Sequence, residues 1–352
     1  MSRNSGKMHL NENPATMHEL SDSTDLMADD EALSERAHAD GYLWLRNVLP
    51  QADVHITAAD LAKVMARAGW IERDKPLAIA AANLGKRCVE PQPDFMDVFY
   101  AQLALKSVHA LKAHPVLQEV FDQLFSEPAL CVPQSVMRLA FPAMQAYATP
   151  AHQDYVHFEG STKNWAVWIP FTPIKPQTGG LAIAAGSHLH GPYDICPSLG
   201  AGQMTIDTDL TRLDWRWSPM QPGDVLIHNC LTVHRGLANE ANSMRVSMDA
   251  RYQPVSAPIG EKYLGMSHQM RDWDDLYAGW TGDELKYYWR HLDLDIVPFT
   301  YKWYDRRNEA AIKMGEAGDA EATVALENIV LKHRSMQMRA RAEHALATLR
   351  AS

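Results

Sequence analysis

Apolar and polar positions change rhythm twice along the chain. Asp29 to Ala39 fits a short helix ending before Gly41, and Gly41 to Pro50 is a compact apolar strand closed by proline. Apolar residues recur at helical spacing from Thr57 to Ala68, with Thr57 or Asp53 as the cap. Phe95–Lys112 and Pro115–Phe125 predict two further helices, broken near His114-Pro115. From Cys131 to about Pro254 the rhythm shortens. Ser135–Phe141, Trp165–Phe171, Gly180–Ala184, Asp224–His228 and Met244–Tyr252 are β-type runs separated by Pro, Gly and Asn. Beyond Pro254 helical spacing returns over His268–Leu276, Thr281–Trp289 and a long amphipathic stretch from Asp319 to Leu349.

Many short strands at this spacing call for two packed sheets. The expected fold is mainly β with flanking helices: a double-stranded β-helix (jelly roll) core, N-terminal helices and a helical C-terminal extension. The corresponding partition is a polar, mobile tail over 1–27, a jelly-roll domain over 28–254, and an extension over 255–352 that packs on the barrel or on a second subunit.

Composition narrows the partners. The chain has 352 residues, 46% of them hydrophobic, enough for a large core. A net charge of −10 without a long Lys or Arg run argues against nucleic acid and anionic membrane. The four cysteines Cys88, Cys131, Cys196 and Cys230 form no close pair, which disfavours disulfides and zinc knuckles and suits a reducing cytoplasm. Met1 to Met27 holds no apolar stretch fit for a signal peptide, and no segment approaches a membrane span.

The chemistry concentrates in His152-Gln153-Asp154. On a strand beginning near Pro150, His152 and Asp154 present an imidazole and a carboxylate to one side, while Gln153 points away. A mononuclear iron(II) site that keeps positions open needs one more imidazole. On spacing alone both His228 and His234 qualify, since a regular strand rising from Pro222-Gly223 carries both on one face. His234 is favoured because the turn centred between Asn239 and Glu240 sets Arg245 at the same level. Along 245–252, Arg245, Ser247, Asp249 and Arg251 alternate with Val246, Met248, Ala250 and Tyr252. The polar side faces solvent or the bore of a barrel. In the second case Arg245 and Ser247 can hold a carboxylate.

Taken together, these residues resemble the phytanoyl-CoA dioxygenase family of iron(II)/2-oxoglutarate oxygenases. His152-Gln153-Asp154 is similar to its H-x-D element, and Gly179–His188 (GGLAIAAGSH) to its G-G-L-x-V-x-P-G-S-H stretch. Pro222-Gly223-Asp224 is similar to its P-G-D turn, and His234 with Arg245, eleven positions on, to its distal histidine and co-substrate arginine. Trp168 falls where the family often has a tryptophan beside the co-substrate. The resemblance covers roughly 36 to 254. It departs from the family at Ala185, where proline is usual, and at Gly236, where some members have a serine, which places more weight on Ser247.

The resemblance implies iron(II) on His152, Asp154 and His234, with 2-oxoglutarate chelated and anchored by Arg245, and oxygen as the other co-substrate. The outcome is succinate, carbon dioxide and hydroxylation or a related oxidation of a small metabolite. Halogenating relatives have a small residue in place of Asp154, so its presence disfavours halogenation. Tyr147, Thr149, His157 and Glu159 flank the motif and are candidates for the substrate mouth. The alternatives are a cupin-like metalloenzyme that needs no keto acid and a non-catalytic barrel that binds a small ligand. Oligomerisation through the C-terminal helices is a further expectation.

Overall fold

A computed structural model describes residues 13–269 and 271–351. Alternating side chains decide how its two sheets are used. The larger sheet runs β1(Tyr42–Leu45), β9(Val225–Asn229), β4(Trp165–Pro170), β11(Arg245–Pro254). Two short strands, β2(Ala129–Cys131) and β3(Val136–Ala140), lie along the far edge of β11. The smaller sheet runs β10(His234–Leu237), β5(Gly180–Ala185), β8(Asp214–Arg216). All these pairings are antiparallel. A hairpin of β6(Ile195–Pro197) and β7(Met204–Ile206) stands beside them. Helical residues outnumber strand residues, 41% to 20%, yet the two facing sheets form the jelly roll that carries the site.

Odd and even positions of the large sheet serve different layers. Leu43, Val167, Ile227, Val246 and Met248 point outward into one apolar cluster. That cluster is shared with helices α1(Asp30–Asp40), α2(Gln51–Arg67), α3(Pro93–Leu103), α4(Lys106–Lys112) and α5(Pro115–Phe125). Phe121 of α5 stacks on Tyr252 with ring centroids 4.2 Å apart. Tyr42, Trp44, Trp168 and Leu226 point inward against Ala182, Trp215 and Leu237 of the small sheet. Gly179, just before β5, has φ +74°, and a Cβ there would meet the Ala238 carbonyl at 2.3 Å, so only glycine lets the two backbones approach.

Beyond β11 the chain returns to the same core. Trp273, Leu276 and Tyr277 of α7(Trp273–Tyr277) join the outer cluster, as does Trp289. A further strand pair, β12(Ile259–Gly260) with β13(Ile296–Val297), is parallel. Then α8(Lys302–Glu316), α9(Thr323–Lys332) and α10(Met336–Ala351) close around their own apolar cluster of Ala311, Ile312, Leu326, Ile329, Ala342 and Ala345.

Several expectations change. Of the tail expected over 1–27, residues 1–12 lie outside the described residues, whereas the remainder is ordered. His18 exchanges backbone bonds with Trp215 and Trp217, Ser23 N donates to Trp44 O, and Leu20 is buried. Strand edges supply these bonds, which a polar composition does not advertise. The helix expected over Phe95–Lys112 breaks at Ala104, whose carbonyl accepts from Trp280 Nε1 instead (2.7 Å). Thr281–Trp289 contains no α-helix; Lys106 draws on the Thr281 carbonyl at 2.6 Å and on Glu284 at 2.5 Å. The stretch from Asp319 to Leu349 holds two α-helices, because His333 is extended and the Ser335 hydroxyl, just before α10, accepts from Met338 N at 3.3 Å. The helix α8 has no counterpart in the sequence reading.

Candidate metal centre

The first donor sits at the seam between the sheets. His152 and His234 form an isolated bridge with reciprocal backbone bonds of 3.0 Å. Asp154 is not on a strand as expected: its backbone is already helical and opens the short helix α6(Tyr155–Phe158). Gln153 fixes that bend. Its amide donates to Gly191 O (2.9 Å) and Leu231 O (2.6 Å) and accepts from Tyr193 N (2.9 Å). Nor do His228 and His234 share one strand. β9 ends at Asn229, a turn follows, and His234 opens β10 in the other sheet. Arg245, on β11, therefore faces His234 across the sandwich rather than beside it in a ladder.

One ligand atom from each of His152, Asp154 and His234 lies within 4.8 Å of the others, and all three residues are buried. Asp154 Oδ1 is 3.6 Å from His152 Nε2 and 3.8 Å from His234 Nε2. Each imidazole is oriented from behind: His152 Nδ1 meets Pro150 O at 2.8 Å and His234 Nδ1 meets Thr232 O at 3.0 Å. Those carbonyls place the proton on Nδ1 and turn both Nε2 lone pairs inward. Asp154 Oδ2 is occupied from behind by Arg251, through Nε at 3.2 Å and a terminal nitrogen at 2.8 Å. Burial alone would raise the Asp154 carboxyl, but Arg251 and the two imidazoles hold it well below the usual range. Burial, and then His152 and His228, push the His234 imidazole well below its ordinary value. Two imidazoles and one carboxylate, with both Nε2 atoms turned inward and no fourth protein donor in the cluster among the described residues, fit a mononuclear iron(II) that keeps open positions. His228 stands outside this group, its ring 4.2 Å from that of His234.

Next to the donors lies a small cavity lined by Trp168, His234, Arg245, Ser247 and Thr149 among others. The polar side of β11 faces this bore, not solvent: Arg245, Ser247, Asp249 and Arg251 are all buried. Arg245 donates from one terminal nitrogen to Leu237 O (2.5 Å) and Gly180 O (3.2 Å). Its Nε and the Ser247 hydroxyl are buried without a hydrogen-bond partner among the described residues. Burial, aided by Arg138, pulls the Arg245 guanidinium down to about 10. Unpaired buried donors are costly, and two side by side fit the far carboxylate of a dicarboxylic keto acid.

A second cavity of about 340 Å³ opens over His152 and Asp154. Of the expected mouth residues, Thr149 and His157 line it, and burial next to His152 pushes the His157 imidazole down to about 3. Tyr147 lines a neighbouring arm instead. Glu159 turns away, accepting from Thr300 N and Oγ1 at 2.8 Å each, and so ties the metal loop to the extension. His188 and His190 stay remote: the first bonds to His38 O and the second stacks on Tyr193. Arg251, Arg138 and Lys262 were not singled out in the sequence. Arg251 carried a signal, since it shares the alternation of Arg245; Arg138 and Lys262 carried none.

Two facing sheets with a two-histidine, one-carboxylate cluster between them define a mononuclear metal oxygenase architecture. The sequence model of the phytanoyl-CoA dioxygenase (PhyH) family matches residues 37–247, more than half of the chain, and the chain belongs to that family. It is thereby an enzyme of the non-haem iron, 2-oxoglutarate-dependent class. It is 29% identical over 265 residues to 1-deoxypentalenic acid 11-beta-hydroxylase of Streptomyces arenae, covering 70% of this chain and 88% of that protein. It is 26% identical over 141 residues to methylphosphonate hydroxylase of Gimesia maris, covering 40% and 52% respectively. The crystal structure of the epimerase SnoN in complex with Fe3+, alpha ketoglutarate and nogalamycin RO superposes with a TM-score of 0.49 at 21% identity, covering 66% of this chain and 86% of that one.

Proposed function

We propose that His152, Asp154 and His234 hold iron(II) and that Arg245 and Ser247 anchor the far carboxylate of 2-oxoglutarate beside Trp168. The observation that carries this reading is a pair of unpaired buried donors, Arg245 Nε and Ser247 Oγ, next to three converging ligand atoms. When bound, the iron, 2-oxoglutarate and oxygen supply the oxidative chemistry, yielding succinate, carbon dioxide and an oxidised C–H bond of a small metabolite. The protein's own part is orientation. Arg251 keeps Asp154 ionised, the Pro150 and Thr232 carbonyls aim the imidazoles, and Trp168 with the neighbouring apolar wall excludes water. Hydroxylation fits the presence of Asp154, and the two curated relatives are named as hydroxylases of small acids or phosphonates.

The decisive experiment follows oxygen uptake and succinate release with and without 2-oxoglutarate. We expect both to require the keto acid. Turnover without it would favour a cupin-like enzyme, and iron binding without any turnover a ligand-binding barrel. Asp154→Gly should abolish succinate release; wild-type yield in that variant would remove Asp154 from the ligand set.

The extension over 255–352 contributes to the cavity above the metal donors, through Lys262, His268, Tyr301 and Tyr304. No helix among the described residues is long and apolar enough to cross a membrane. That Cys88, Cys131, Cys196 and Cys230 form no disulfide among the described residues supports a reducing, cytoplasmic setting. Exposed Leu331 and Met336 on α9 and α10 support self-association through the C-terminal helices, which sedimentation velocity would test.

A further inference from the structure

The cavity over His152 and Asp154 holds a cation that makes no contact ion pair among the described residues, although Glu159 and Glu261 act on it from farther off. Arg138 lines it and is paired with Asp249 at 2.7 Å. Arg251 is paired with Asp154 at 2.8 Å, and Glu90 with His268 at 3.3 Å. Lys262 also lines the cavity, and among the described residues no carboxylate lies within ion-pair distance of it. It donates to the His157 carbonyl at 3.4 Å. The ammonium is nonetheless held in place. It sits 3.3 Å from the Phe299 ring centroid and 4.7 Å from that of Tyr304. These rings steady a cation without neutralising it.

The surroundings specify the rest of a ligand. Arg138 spends its Nε on Asp249 and stands at the junction of three cavities: this one, the Arg245–Ser247 cavity and the arm lined by Tyr147. One wall of that arm is apolar, made of Phe95, Met137, Leu139, Phe141, Met144 and Leu199, and the rest of it is polar. A molecule spanning both spaces passes the metal donors with a charged end at Lys262 and an apolar body in the arm. A carboxylate end supplies the contact partner that the Lys262 ammonium lacks.

Resting on the iron and 2-oxoglutarate reading above, we propose that the substrate is an organic monoacid, a carboxylate on an apolar skeleton, and that Lys262 selects it by binding the carboxylate. Lys262 lies outside residues 37–247, so this selection belongs to the extension of this chain and not to the segment that defines the family.

The test uses one compact apolar cage with three heads: adamantane-1-carboxylate, its methyl ester and adamantane-1-phosphonate. Binding is measured by calorimetry under argon on iron(II)-loaded protein with 2-oxoglutarate, and again on metal-free protein. The carboxylate should bind roughly tenfold to hundredfold more tightly than the ester, the usual effect of one charge-assisted contact. Lys262→Met should erase that preference while its 2-oxoglutarate titration stays at the wild-type value, and Lys262→Arg should keep the preference. Equal binding of acid and ester, no binding of any probe, tighter binding of the phosphonate dianion, or an undiminished preference in Lys262→Met would overturn the proposal. Failure to bind iron or 2-oxoglutarate would instead count against the metal site, because the metal-free titration still reads the acid preference.

Discussion

Asp154 divides its two oxygens between two tasks, and Arg251 makes the division possible. With Oδ2 held by the guanidinium, Oδ1 is left for the metal position. Removing Arg251 leaves a buried carboxylate that only protonation relieves. Arg251→Met should therefore weaken iron binding by about ten- to hundredfold, more at acid than at alkaline pH. An iron titration at two pH values would detect this, and a pH-independent loss would mean that Arg251 acts through packing on Phe158 alone. Arg245 poses the complementary case, since its Nε has no acceptor among the described residues. Arg245→Ala should raise the apparent 2-oxoglutarate Kd roughly tenfold to hundredfold, and an unchanged value would move the anchor elsewhere. At this scale the sequence was most legible where spacing and turn symmetry constrain geometry. The clustering of His152, Asp154 and His234 was readable, although Asp154 reaches it from a helical turn and not from the expected strand, and Arg245 and Ser247 share the face of β11 that lines the neighbouring cavity. Lys262 and Arg138 were not, because nothing in local spacing tells which distant residues wall a cavity.

Elements were legible in their existence more than in their ends. The β runs between Ser135 and Tyr252 match β3, β4, β5, β9 and β11 closely, because alternation reflects a sheet buried on both faces. The switch between β9 and β10 was not legible. A run such as Asp224–His234 reads as one strand unless the partner sheets are known, and Asn229 breaks it only through its side-chain bonds to Thr162 O and Leu231 N. The helices of the extension were blurred for a related reason: their breaks follow contacts with distant residues. One such contact joins elements directly. Glu159, after α6, accepts two bonds from Thr300, just before α8. Thr300→Val removes the hydroxyl donor and keeps the backbone one. The segment from Ile296 to Tyr304 should then open more easily by about 1–2 kcal/mol, which hydrogen exchange of its amides would register. Unaltered exchange would show that the aromatic contacts around Lys262 alone hold the segment down.

On the scale of the whole molecule, early and late parts of the chain share one core, and a histidine lies at their junction. His109 of α4 packs edge-on against Trp273, Tyr277 and Trp280, while its Nε2 donates to Leu103 O at 2.8 Å. Burial, and then the nearby Lys112 ammonium, push its imidazole from an ordinary 6.5 down to about 3. An unfolded chain takes up this proton near pH 6.5, whereas the folded one refuses it until about pH 3. Its contribution to stability is thus complete above pH 6.5 and is lost as the pH falls toward 3, by up to about 1.4 kcal/mol per pH unit. Acid should accordingly loosen the seam between the N-terminal helices and the extension before it disturbs the sheets. His109→Gln keeps a donor for Leu103 and cannot titrate. Chemical unfolding at pH 6.5 and 5 should show the variant losing about 1–2 kcal/mol less than the wild type over that interval. Equal losses in the two proteins would place the acid-sensitive group elsewhere. The same seam brings Lys262, Tyr301 and Tyr304 to the cavity over the metal donors, so loosening it should also weaken acid-probe binding, and at a milder pH than the one that unfolds the barrel.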